Sequence, residues 1–190
     1  ISVLGGMNAH TGEYVPFLGG GAYDHFIPSV VPHIVSRSEF YTAYTPYQAE
    51  MSQGVLQTIY EYQTMICELT GMEVSNASMY DGASAMAEAA LMAARITKRD
   101  EIVISSAINP RYRKVLNTYL IGIKLPVKTI EWTNGITDIE RLSRAISDKT
   151  AVVVIQYPNF FGCVEDIKTI IDLAHRSGAL AVIVADPVAL

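Results

Sequence analysis

Apolar residues in the second half of the chain fall into short unbroken runs, and amphipathic stretches lie between them. Glu101 to Ser105, Pro126 to Glu131, Ala151 to Gln156 and Leu180 to Ala185 read as strands, the last two as buried ones. Asn109-Pro110 opens a helix to about Ile121, and helices are expected over Asp138 to Ile146 and Asp166 to Ser177, with Gly178 ending the last. Strand and helix therefore alternate. Strands that are apolar along their whole length, rather than at every second position, predict an α/β fold: a mainly parallel sheet with helices on both faces. Ligands of such sheets bind outside the carboxyl ends of the strands, where Tyr157-Pro158-Asn159 and Asp186 emerge.

The first half has a longer rhythm. Met51, Val55, Ile59, Tyr62, Met65, Ile66 and Leu69 recur at three- and four-residue steps, which predicts a helix over Tyr47 to Thr70 stopped by Gly71. Gly54 inside it costs about 1 kcal/mol against alanine, so close approach of another backbone is expected there. An alanine-rich helix follows from Asp81, its cap, to Arg95, and its small residues permit tight packing. Residues 1–28, with Gly5-Gly6, Gly12 and Gly19-Gly20-Gly21, read as an arm whose triple glycine is a flexible or close-packed turn. A short helix is expected within Pro28 to Arg37. The organisation predicted is an arm with a tyrosine-rich loop over 1–46 and an α/β domain over 47–190.

Composition narrows the setting. Hydrophobic residues make up 50% of the 190 and charged residues 17%, with mean hydropathy +0.24, which points to a buried sheet plus subunit interfaces. The longest apolar run, Ala179 to Ala185, is far short of the roughly 20 residues that span a bilayer. Cys67 and Cys163 have no metal-ligand spacing around them, and His25 and His33 have no partner at metal spacing and read as satisfied or exposed. A reducing, cytoplasmic setting is the resulting expectation. A net charge of −5 with scattered basic residues argues against a nucleic-acid partner. The chain starts at Ile1 and stops just past a strand exit, so a fragment is expected.

One stretch has no core-building logic. Phe40 to Gly54 packs three tyrosines and a run of hydroxyls and amides around Pro46, which disfavours helix at Thr45 and can open one itself. A loop of this kind at a helix N-terminus suits a small polar or anionic ligand. It equally suits a capped helix whose tyrosines meet another subunit. The candidate site residues are Tyr41, Tyr44, Thr45, Tyr47, Gln48 and Glu50.

The segments Phe17 to Pro28, Ser36 to Phe40, Tyr41 to Gly54 and Gln63 to Gly71 resemble, at high density, the P-protein of the glycine cleavage system. The likeness is to the N-terminal subunit, subunit 1, of its split form, glycine dehydrogenase (decarboxylating). It implies a partial large domain of pyridoxal-phosphate fold type I and a pyridoxal-phosphate-dependent decarboxylation of glycine. The aminomethyl group then passes to the lipoyl arm of the H-protein. Tyrosine hydroxyls and the Gln48 amide would hold the glycine carboxylate, and Glu50 would orient them or, if buried, transfer a proton.

That resemblance also implies a division of labour. Asp186 stands where the fold places a carboxylate against the pyridinium nitrogen, yet no lysine follows it in the chain, so the Schiff-base lysine is expected on glycine dehydrogenase subunit 2. Asp186 is then a helix cap before Pro187, with direct cofactor contact as the other reading. The Asp81-Gly82-Ala83-Ser84 turn agrees, because a capping carboxylate competes with a phosphate for the same N–H groups. Two alternatives stand beside this: a self-sufficient fold type I enzyme such as a desulfurase or aminotransferase, and a scaffold subunit without catalytic residues. An oligomer is expected, with the arm and the Tyr47 to Thr70 helix against a neighbouring subunit.

Overall fold

The computed structural model describes Val3, Gly6, Gly20, residues 25–43, Gln48 and residues 50–190. Short helices α1 (Val30–Val35) and α2 (Ser38–Tyr41) precede the long helix α3 (Gln53–Thr70) and the alanine-rich α4 (Gly82–Thr97). Then come β1 (Glu101–Ser105), α5 (Pro110–Tyr119), β2 (Val127–Ile130), β3 (Trp132–Thr133), β4 (Ile136–Thr137) and α6 (Ile139–Ala145). The sequence closes with β5 (Thr150–Tyr157), α7 (Ile167–Arg176), β6 (Leu180–Ala185) and a 3-10 turn (Pro187–Ala189). The expected boundary between 46 and 47 lies outside the described residues, as does most of the expected arm.

Four strands pair in parallel in the order β2-β1-β5-β6, so β1 and β5 are central and buried along nearly their whole length. Alternate side chains feed two cores. On one face Met86, Ala87, Ala90 and Ala93 of α4 and Leu116 of α5 pack on Ile102, Ile104, Val152 and Val154. On the other, Leu142 of α6 and Ile170 and Ala174 of α7 cover Val103, Val153 and Ile155. Ala87 and Ala90 are fully buried, which is how α4 lies close to the sheet. β6, read from sequence as buried, is only half-buried because it forms the edge of the sheet among the described residues.

Aspartate caps recur. Asp81, Asp138 and Asp166 each accept the N–H three residues on, at 2.7, 2.9 and 3.1 Å, and these bonds hold the Asp81 and Asp138 carboxyls below the usual aspartate range. At the amino end of the sheet Glu101 is buried, with Lys128 Nζ at 2.8 Å and the Thr150 hydroxyl donating at 2.8 Å. Burial pushes its carboxyl up, but the hydrogen bonds from Lys128 and Thr150 and the lysine charge outweigh that and leave it lowered. A lowered folded value stabilises the fold above the unfolded value, about 4.3 for glutamate, and the gain is lost as pH falls through the folded value. Glu101→Gln should therefore cost about 1 to 3 kcal/mol at neutral pH, and the gap to the parent should narrow below about pH 4 in denaturant titrations.

Helix α3 departs from expectation at its start. The Gln48 carbonyl accepts the N–H groups of Met51 and Ser52, and Ser52 has φ −143° and ψ 41°, so the helix begins at Gln53 rather than at the expected Tyr47. Its end is as read: Gly71 has φ +70° and donates to the Cys67 carbonyl at 2.8 Å. No side chain of α3 is buried, and Met65 and Leu69 lie exposed. Among the described residues nothing comes within 4 Å of where a side-chain carbon at Gly54 would lie, so the close approach expected there is not made by them.

Candidate functional site

An open cleft of about 250 Å³ lies at the carboxyl ends of β5 and β6. Gln156, Tyr157 and Pro158 line one side, Val184 to Pro187 another, and Tyr112 of α5 and His25 complete it. The strand ends are tied together by the Asp186 N–H, which donates to the Tyr157 carbonyl at 3.0 Å. Asp186 then caps the 3-10 turn, its Oδ1 accepting the Val188 N–H at 3.0 Å, while Oδ2 lies 3.1 Å from His25 Nε2. The helix-cap reading of Asp186 is thus what the geometry shows. His25, read as satisfied or exposed, is an ion-pair candidate for a carboxylate far along the chain.

Gly20 is also fastened beside the cleft. Gly20, at φ +77°, donates its N–H to the Phe160 carbonyl at 2.8 Å and accepts from Asn109 Nδ2 at 3.3 Å. A side chain there would be strained, so the glycine serves a close-packed turn. Asn109 caps α5 by accepting the Arg111 N–H, and its own N–H donates to Gln156 Oε1 at 2.8 Å.

A second polar cluster braces the loop after β5. Asn159 is fully buried: its Nδ2 donates to the Gly135 carbonyl at 2.7 Å and to Glu165 Oε1 at 2.8 Å, and its Oδ1 accepts the N–H groups of Phe161 and Cys163. Buried Glu165 also accepts from the Thr137 N–H and hydroxyl, and Thr137 Oγ1 lies 2.7 Å from Ser105 Oγ. This network ties the β3-β4 hairpin to the ends of β1 and β5. Trp132 and Phe161 meet edge-to-face above it at 4.9 Å.

Of the residues singled out in the tyrosine stretch, Tyr44, Thr45 and Tyr47 lie outside the described residues. Tyr41 ends α2 and is exposed, Gln48 is half-buried with its carbonyl in the turn before α3, and Glu50 is exposed. None of these three lines the cleft. Glu50 is thus not buried by this chain itself.

The α4 N-terminus, where a phosphate would sit, is closed from two sides. Asp81 occupies the Ser84 N–H, and a side-chain carbon at Gly82 would lie 2.9 Å from the Tyr112 hydroxyl, so that ring already covers the turn. Asp186 is engaged by His25 and Val188, and among the described residues no lysine lines the cleft. These residues do not fit pyridoxal phosphate.

A sequence model of the glycine cleavage system P-protein family matches residues 4–190. The chain belongs to that family. It is 56% identical over 187 residues to the probable glycine dehydrogenase (decarboxylating) subunit 1 of Desulforamulus reducens, covering 98% of this chain and 42% of the relative. It is 55% identical over 190 residues to the protein of the same name from Geobacillus kaustophilus, again 42% of the relative's length. Among solved structures, a glycine decarboxylase (P-protein) of the glycine cleavage system in inhibitor-bound form matches 98% of this chain and 43% of its own, at TM-score 0.82 and 45% identity. A cysteine desulfurase from Thermococcus onnurineus NA1 matches 92% of this chain and 44% of its own, at TM-score 0.63 and 15% identity, a likeness of fold alone. The fold is that of part of the large domain of pyridoxal-phosphate fold type I enzymes. Because the chain spans less than half the length of these relatives, the lack of a lysine after Asp186 carries no weight about where the cofactor sits.

Proposed function

We propose that this chain is the amino-terminal part of glycine dehydrogenase (decarboxylating) subunit 1. In this reading it completes the active site of a glycine decarboxylase whose pyridoxal phosphate is held by subunit 2. The assembled enzyme decarboxylates glycine and passes the aminomethyl group to the lipoyl arm of the H-protein, in the cytoplasm, as an oligomer. The observation that carries this is the 45% identity and TM-score 0.82 shared with a glycine decarboxylase P-protein over nearly the whole chain. The desulfurase likeness, at 15% identity, supports no such transfer of activity. Placement of the cofactor on the partner is supported by the closed α4 N-terminus and the engaged Asp186.

The chain's contribution in this proposal is Tyr41, Tyr44, Thr45, Tyr47, Gln48 and Glu50. The hydroxyls and the Gln48 amide hydrogen-bond the glycine carboxylate, and Glu50 orients them from the surface. Exposure of Tyr41 and Glu50 in the single chain suits a site that a partner closes. Residues 1–46 act as the arm that reaches this partner, and residues 47–190 as the domain that carries it.

In the complete two-subunit enzyme, Tyr44→Phe and Tyr47→Phe should each slow glycine–bicarbonate exchange without separating the subunits. Each removes one hydrogen bond, worth about 0.5 to 3 kcal/mol depending on charge, and leaves the ring packing in place. Full exchange in both variants would return the stretch to a purely interfacial role.

A further inference from the structure

Residues 25–43 share little with the α/β domain. Every residue from His25 to Thr42 is exposed, and among the described residues no side chain of this segment belongs to either core. The hydrogen bonds that 26–43 make with described residues stay within the segment, in α1, α2 and the turns beside them. Arg37 is likewise occupied locally, by Glu39 at 2.6 Å. The ion pair that crosses to the domain is His25 Nε2 with Asp186 Oδ2, 3.1 Å apart at the exit of β6.

The two partners are not held alike. Asp186 is set by the domain: its N–H donates to the Tyr157 carbonyl, its Oδ1 accepts the Val188 N–H, and its side chain is 17% exposed, so Oδ2 faces His25 with no help from the segment. The His25 side chain is 46% exposed, and its attraction to the carboxylate depends on its proton. Imidazole titrates at about 6.5 when unperturbed, and a facing carboxylate favours the charged form. The attraction is therefore complete below that range and is lost as pH rises through the value His25 has in the pair. The other titratable groups around it are the phenols Tyr112 of α5 and Tyr157 of β5 in the cleft and, on its own segment, exposed His33 and the Arg37–Glu39 pair. We propose that the His25–Asp186 pair is a proton-operated latch: charged His25 fastens residues 25–43 to the exit of β6, and neutral His25 lets them lift away. The bonds of Gly20 to Phe160 and Asn109 do not titrate, so the chain stays anchored there in both states. The latch does not depend on the decarboxylase reading.

The test is hydrogen–deuterium exchange of the complete two-subunit protein, pulsed at about pH 5.5 and about pH 8, corrected for intrinsic exchange and read over residues 26–43. In the parent, protection there should fall roughly tenfold from the lower to the higher pH while β1 and β5 keep theirs. His25→Gln keeps a donor without the charge, and Asp186→Asn keeps the Oδ1 cap of Val188 without the charge. Both variants should show the low protection at both pH values, again with β1 and β5 protected, and His33→Gln should behave as the parent. Equal protection of the parent segment at the two pH values, a pH-dependent change that persists in both latch variants, or its loss in His33→Gln would overturn the inference.

Discussion

Asn159→Ala is expected to destabilise the protein by about 3 to 5 kcal/mol, near the top of what a single side chain can cost. The change would strip the Phe161 and Cys163 N–H groups of their acceptor and the Gly135 carbonyl and Glu165 of a donor. Each buried group left unmet costs about 1 to 3 kcal/mol, reduced where water can enter. Among the described residues Glu165 has no ion-pair partner, and its charge is met by Asn159 and the N–H and hydroxyl of Thr137. Asn159→Asp sharpens the point, because it keeps the Oδ1 acceptor but loses the Nδ2 donor and sets a second carboxylate against Glu165, so at neutral pH it should destabilise as well. Denaturant unfolding of the parent and both variants measures this. A loss under about 1 kcal/mol for Asn159→Ala would mean the loop after β5 is not held by this network.

Much of the α/β layer was legible because its signals are local. Continuous apolar runs marked β1, β5 and β6, aspartate or asparagine marked the starts of α4, α5, α6 and α7, and Gly71 and Gly178 marked helix ends. The β3-β4 hairpin was missed although its signal is present: Asn134-Gly135, both at positive φ, is the pair that a tight two-residue hairpin favours. Two-residue strands are too short to show alternation, so only the turn betrayed them. The start of α3 was misplaced because apolar periodicity continues through Met51, while a backbone turn closed by the Gln48 carbonyl breaks the helix before Gln53. Burial of β6 was overstated because an apolar run does not reveal whether a strand has one neighbour or two.

The cleft was legible only in outline. Strand polarity placed Tyr157 and Asp186 at the ligand-binding end, but no local pattern links His25 to Asp186 or Gly20 to Phe160. Gln156 could have been noticed as the amide that closes an otherwise apolar strand run. The sequence instead drew attention to the tyrosine stretch, whose described members stand away from the cleft, as a surface to be completed by another subunit would.

Borohydride reduction of the loaded two-subunit enzyme should leave no pyridoxal phosphate fixed on this chain. The expectation is all-or-none, because three obstacles in this chain act together. Asp81 and the Tyr112 ring close the helix end that would take the phosphate, Asp186 is committed to Val188 and His25, and no lysine borders the cleft among the described residues. Restoring a phosphate site would require displacing a carboxylate from N–H groups it already satisfies, which is unfavourable on both electrostatic and hydrogen-bond grounds. Peptide mass analysis after reduction therefore tests the central claim, that this chain completes a glycine decarboxylase site without holding its cofactor. The account predicts no reduced adduct on this chain; a stable adduct on Lys98, Lys114, Lys124, Lys128, Lys149 or Lys168 would contradict it.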